Sequence, residues 1–163
     1  MLRSGRLPTS SGSSVAQADE LTLEMKRVLP ARRRLVFAAF SDPHELAKWW
    51  GPRGFRTPSL ELHARVGERY RIAMQPPQAA RFYLTGEFRE VDPPARLAYT
   101  FLWEDPDPDD VATVVDVSFR DLGESTEVFL RQGPFMTEAR RRLHQDGWTD
   151  SLDKLEQLVS GRA

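Results

Sequence analysis

Thr137-Glu-Ala-Arg-Arg-Arg-Leu-His-Gln-Asp-Gly-Trp-Thr-Asp-Ser-Leu-Asp-Lys-Leu-Glu-Gln-Leu-Val159 is the stretch on which the fold turns. Thr137 is suited to cap a helix. Leu143, Gly147, Trp148, Ser151, Leu152, Leu155, Leu158 and Val159 then form one apolar stripe at helical spacing. A helix of that length runs on the order of 30 Å, enough to cross a whole sheet. It therefore needs a broad apolar surface to lie on.

The preceding residues supply that surface. Ser59–Ala64, Arg69–Gln75, Arg81–Val91, Arg96–Trp103, Ala112–Arg120 and Ser125–Gln132 all read as strands. They are separated by short turns such as Val66-Gly67-Glu68, Asp92-Pro93-Pro94 and Leu122-Gly123-Glu124. Short connections between successive strands imply an antiparallel meander. Alternation groups Tyr70, Ile72 and Met74 on one face, and likewise Leu97, Tyr99, Phe101 and Trp103. Val115, Val117 and Phe119 form a third set, and Thr126, Val128 and Leu130 a fourth. Tyr83 and Phe88 are ambiguous between the faces.

Further out, Glu20–Leu29 has the period of a strand and ends at Pro30. From Ala31 the period turns helical, with Leu35, Val36, Ala39 and Phe40 on one side. Asp42-Pro43-His44-Glu45 opens a second short helix that carries Leu46, Trp49 and Trp50 until Gly51-Pro52 stops it. The order is strand, two helices, six strands, one long helix. This is an α+β chain in which a curved antiparallel sheet, of about seven strands, wraps the terminal helix. Residues 20–160 read as a single domain and residues 1–19 as a flexible tail.

Composition narrows the chemistry. The 163 residues carry a formal net charge of −1 and no cysteine, which removes disulfides, thiolate catalysis and thiolate zinc sites. No apolar run approaches the roughly 20 residues of a membrane span, and the opening segment lacks the apolar core of a signal peptide. The expected address is the cytoplasm, with no membrane insertion and no nucleic-acid partner. His44, His63 and His144 show no metal-ligand spacing, and there is no G-x-S-x-G, P-loop or Rossmann fingerprint. No cofactor or metal is expected. The acidic run Glu104–Asp110 reads as a solvated hairpin tip, and Arg140-Arg141-Arg142 as a solvated helix face.

Asp42-Pro43, Leu46, Trp49-Trp50-Gly51-Pro52 and Gly54-Phe55 resemble the DPxxLxxWWGPxGF signature of the activator-of-heat-shock-chaperone-ATPase homologue family (AHSA-type). That family lies within the START/SRPBCC superfamily, whose helix-grip fold is shared with the birch pollen allergen. Glu90-Val91-Asp92-Pro93-Pro94-Ala95-Arg96-Leu97 is similar to its E-[VI]-x-P-P-x-R-L turn, and Thr100–Trp103 to the strand that follows. His144, Gly147, Trp148, Leu152 and Leu155 match its HxxGWxxxLxxL helix. The resemblance spans roughly Leu21 to Val159. The chain departs from the DxRxGG hairpin of many members, with His63, Arg65, Gly67 and Glu68 in its place.

A sheet gripping one helix leaves space near the helix ends for side chains or for a ligand. The candidate cavity residues are Trp50, Phe55, Met74, Tyr83, Tyr99 and Phe101, together with Trp103, Val117, Val128, His144 and Trp148. The favoured function is a non-enzymatic carrier or sensor of a small hydrophobic, aromatic or lipid-like molecule. One alternative, implied by the resemblance, is a domain that meets a chaperone partner in stress response. The other is a cyclase- or aromatase-like enzyme, for which His63, His144, Glu87 and Arg81 are the polar candidates. Monomer and homodimer are both open.

Overall fold

The computed structural model describes residues 21–161. The expected tail at 1–19 and the start of the first strand at Glu20 lie outside the described residues. The elements run β1 (Leu23–Leu29), α1 (Arg33–Ser41), α2 (Pro43–Leu46), β2 (Leu60–Glu61), β3 (Arg69–Met74), β4 (Phe82–Asp92), β5 (Arg96–Trp103), β6 (Thr113–Asp121), β7 (Thr126–Gly133) and α3 (Glu138–Ser160).

The strands form a seven-stranded sheet in the order β1-β7-β6-β5-β4-β3-β2. Every neighbouring pair is antiparallel, and β1 joins the meander beside its last strand. The sheet curves around α3, which gives the helix-grip architecture. Two expected elements are shorter than their patterns implied. Only Leu60–Glu61 of the run Ser59–Ala64 pairs as a strand, and α2 spans four residues rather than reaching Gly51. Asp42 caps α2 by accepting the His44 backbone N–H at 2.9 Å. Its chain continues through tight turns to Gly51, whose φ of 93° suits glycine.

Curvature has a local cause in β4. The β4–β5 register shifts between Phe88 and Glu90, a bulge of the kind that bends and twists a strand. Two residues earlier, the buried Tyr70 ring lies across Gly86 so that its hydroxyl donates to the Thr100 carbonyl at 2.6 Å. Any β-carbon at Gly86 would sit 1.9 Å from that carbonyl oxygen and 2.5 Å from the Tyr70 ring.

The inner face is buried as alternation predicted. Tyr70, Ile72, Met74, Leu97, Tyr99 and Phe101 are all nearly inaccessible. So are Val115, Val117, Phe119, Val128 and Leu130. Phe88 belongs to this face, at 2% exposed. Over β6, α1 closes the core: Phe37 and Phe40 meet Phe119 edge-on at 5.2 and 5.1 Å. The Trp49 indole N–H donates to the Ala39 carbonyl at 2.9 Å, which ties the turn after α2 back to α1. Among the described residues, no helix is long and apolar enough to cross a membrane.

The 23 residues of α3 extend about 35 Å. Thr137 caps it by accepting the Arg140 backbone N–H at 3.1 Å. Its buried residues, Trp148, Ser151, Leu152, Leu155 and Val159, all fall between its middle and its C-terminal end. Arg27 of β1 pins that stretch through Asp153 at 2.9 Å and Glu156 at 3.1 Å. Leu143, counted in the apolar stripe, is instead 57% exposed. Half of the helix fills the grip and half stands over it.

Replacing Gly86 with alanine should cost about 1–3 kcal/mol or more, because neither the Thr100 carbonyl nor the Tyr70 ring can retreat without breaking the sheet. Urea unfolding measures this. An unchanged midpoint would show that Tyr70 does not occupy the space above Gly86.

Candidate functional site

Beneath the N-terminal half of α3 the inner face of the sheet is not covered by helix side chains, and a cavity of about 440 Å³ remains. That volume lies in the range of about 300–1,000 Å³ typical of small-molecule sites. Three strands supply one wall: Met74 from β3, Phe82 from β4, and Phe101 and Trp103 from β5. The turn after α2 contributes Trp50, Gly51, Pro52 and Phe55. The roof is one side of α3, with Leu143, His144, Gly147, Trp148 and Ser151.

The aromatic rings hold one another in place edge-on. Trp50 meets Trp148 at 5.3 Å and an 88° interplanar angle, Phe82 meets Phe55 at 6.2 Å, and Trp103 meets Phe82 and Phe101 at 5.2 Å each. Such contacts fix the walls more firmly than aliphatic packing would. Two of the three wall indoles are satisfied within the protein. Trp50 Nε1–H donates to Met74 Sδ at 3.1 Å, and Trp148 Nε1–H donates to Gln132 Oε1 at 2.8 Å. Gln132 is fully buried and passes the chain on, its Nε2 donating to Thr113 Oγ1 at 2.9 Å. The Pro52 side of the cavity is strapped to α3 by Ser151 Oγ, which donates to the Gly51 carbonyl at 3.1 Å. Lys154 Nζ adds bonds to the Trp50 and Pro52 carbonyls at 3.3 and 3.5 Å.

His144 is the polar group inside this apolar space. Its ring lies among Phe135, Phe101 and Trp103, at centroid distances of 5.0, 5.3 and 5.9 Å. Among the described residues no side chain or carbonyl hydrogen-bonds either of its nitrogens. Burial lowers its pKa to about 4, which the charge of Asp110 partly opposes and that of Arg140 assists. At neutral pH the imidazole is uncharged and its nitrogens are available to a guest.

Gly147 faces the same space. A β-carbon there would meet only Pro52, at 3.8 Å. Glycine inside a helix costs about 1 kcal/mol relative to alanine, and what the helix gains here is open volume.

The mouth is built from two features that had read as unrelated solvated segments. The β5–β6 loop folds back on α3, where Arg140 pairs with Asp107 at 2.6 Å, Asp109 at 3.0 Å and Asp110 at 3.4 Å. Thr137 Oγ1 adds a bond to Asp109 at 3.2 Å. Hydrogen bonding to Arg140 holds the Asp109 carboxyl below its ordinary range. Arg141 turns along the helix to Glu138 and Gln145, while Arg142 reaches Glu138. No local signal announced the loop's attachment beyond complementary charge. Gln132 was readable, since it stands in phase with Val128 and Leu130 on β7.

Of the eleven residues nominated from sequence, Trp50, Phe55, Met74, Phe101, Trp103, His144 and Trp148 meet around the cavity. Tyr83 touches its edge, but its ring carries the Arg71 guanidinium at 3.8 Å, on the opposite side of β4 from Leu84. Tyr99, Val117 and Val128 stand outside the wall. Tyr99 packs on Tyr70 and Phe88 at 5.6 Å each, and burial raises the phenol pKa of both tyrosines. Val117 and Val128 are fully buried in the neighbouring β6 and β7 strands. Of the polar enzyme candidates, only His144 reaches the cavity. His63 is exposed after β2, Arg81 donates to Gln75 on the surface, and Glu87 alternates with Phe88 to face outward.

The sequence pattern of the family described as "Activator of Hsp90 ATPase homolog 1-like protein" matches residues 30–160. Among curated proteins no match is found. Solved structures are similar over nearly the whole domain. A protein of Chromobacterium violaceum is 29% identical with a TM-score of 0.79, covering 86% of this chain and 97% of its own. An AHSA1 protein of Silicibacter pomeroyi is 25% identical with a TM-score of 0.78, covering 87% and 99%. A protein of Nitrosomonas europaea is 25% identical with a TM-score of 0.74, covering 88% and 96%.

The imidazole of His144 should titrate with a midpoint near 4, well below the ordinary 6.5. Because its folded pKa is depressed, the unfolded chain binds the extra proton first. Its contribution to stability is therefore complete above about pH 6.5 and is lost as pH falls toward 4. Histidine ring resonances followed by NMR across this window give the midpoint, and a value near 6.5 would place the ring in water.

Proposed function

We propose, from the premise that the chain belongs to the family of Activator of Hsp90 ATPase homolog 1-like proteins, that its cavity binds a small hydrophobic molecule with an aromatic or lipid-like body. The protein acts as a carrier or sensor and not as a catalyst. The observation that carries this reading is the aromatic-walled space of about 440 Å³ under α3, held open by Gly147 and furnished with one unbonded imidazole. A fold shared by many functions cannot supply the argument, so the site must.

Two features favour binding over turnover. Among the described residues no carboxylate hydrogen-bonds His144, the Asp110 charge acting on it only at a distance, so no proton relay is assembled. The strong mutual packing of Trp50, Trp148, Phe101 and Trp103 suits a shaped container. A neutral imidazole at neutral pH gives or takes one hydrogen bond and so orients a guest.

Native mass spectrometry of gently purified protein, with extraction of whatever it carries, tests the reading. One small molecule per chain is expected, and its chemistry would name the ligand class. Gly147→Leu should abolish that retention while leaving the thermal melt unchanged or higher, since leucine fills the cavity and favours the helix. Equal retention in both proteins would move binding elsewhere. A wild-type chain that carries nothing would count against the carrier role and favour the chaperone partnership carried by the family's name.

A further inference from the structure

We propose that the guest is a hydrophobic organic cation, an amine or quaternary ammonium on an apolar body, in preference to a neutral or anionic molecule of the same shape. This rests on the reading of the cavity as a ligand site, and extends it to the charge that the site selects.

Charge and shape support the choice separately. The carboxylates of Asp105, Asp107, Asp110, Asp146 and Asp150 stand in the wall against one cation, Arg140. Arg140 is already shared among Asp107, Asp109 and Asp110 at 2.6–3.4 Å and is only 19% exposed, so it has little left to offer a ligand anion. Arg53 neutralises Asp150 from outside, at 3.7 Å. Among the described residues Asp105 and Asp146 have no cationic partner, and they lie on opposite sides of the mouth, one on the β5–β6 loop and the other on α3. Low-dielectric walls focus such a field into the cleft.

The inner wall makes the same selection by other means. Trp50, Phe101, Trp103 and Trp148 present ring faces and edges within one small volume, and ring faces attract a desolvated ammonium. An acidic mouth above an aromatic chamber penalises a carboxylate twice, once on entry and once on desolvation. The uncharged His144 supplies no compensating positive charge.

Three probes of one shape separate the possibilities: 1-naphthylmethylammonium, 1-naphthylmethanol and 1-naphthoate, titrated calorimetrically at neutral pH and low ionic strength. The ammonium should bind roughly tenfold or more tighter than the carboxylate, with the alcohol between, and added salt should compress the series. Asp105→Asn with Asp146→Asn, at exposed and unpaired positions, should weaken the ammonium several-fold and leave the alcohol unchanged. Binding of the alcohol with no rank order would overturn charge selection while leaving the cavity site standing. Tightest binding by the carboxylate would reverse the proposal. Failure of all three probes would remove the ligand site itself.

Discussion

One buried amide governs how the helix sits in the sheet. Gln132 lies on the inner face of β7 with no access to water, where an unpaired amide would cost about 1–3 kcal/mol or more. Its oxygen takes the Trp148 indole N–H, and its nitrogen gives to Thr113 on β6. The placement of α3 that makes these bonds also keeps Leu152 and Leu155 in the core. Trp148 then presents its other edge to Trp50, and the turn after α2 is drawn onto the helix through Ser151 and Lys154. Strand, helix and turn are therefore located by one shared side chain.

The cavity follows from that placement. Below Trp148 the helix is packed into the grip, and above it the helix carries Gly147, His144 and Leu143 over an uncovered floor of aromatic rings. The floor rings touch α3 only at His144 and Trp148, and their edge-on packing on one another keeps them from filling the space between. Arg140 holds the acidic loop against the helix start, which leaves the opening bordered by carboxylates. Rigid walls, an open glycine and a polar point within reach are the features on which the proposed binding role rests, because the fold by itself dictates no guest.

Much of this was visible in the residues. Alternation along Leu97–Trp103 and Tyr70–Met74 put the right side chains on the inner face, and the helical stripe of residues 148–159 marked the gripping half of α3. The same alternation could not separate Tyr99, which closes on Tyr70 and Phe88, from Phe101, which opens on the cavity two residues later. That difference depends on where the long helix stops touching the sheet. Periodicity also placed Leu143 in the stripe, although it borders the cavity and is 57% exposed because nothing fills the space beneath it. The pairing of Arg140 with the β5–β6 loop was hidden because it joins residues about thirty positions apart, with nothing but charge in common. Tyr83, ambiguous between the faces in the sequence, borders the cavity while its ring supports the Arg71 guanidinium on the other side of β4.

Four indole N–H groups distinguish a cavity guest from a surface one. Those of Trp50, Trp103 and Trp148 belong to residues in the wall, whereas that of Trp49 is held by Ala39 behind α1. The decisive measurement is a titration with 1-naphthylmethanol followed by the indole resonances in a heteronuclear NMR spectrum. Saturable shifts of Trp50, Trp103 and Trp148 with Trp49 left unmoved are expected of a ligand seated under α3. Shifts spread equally over all four, or none at saturation of the probe, would contradict a binding chamber there.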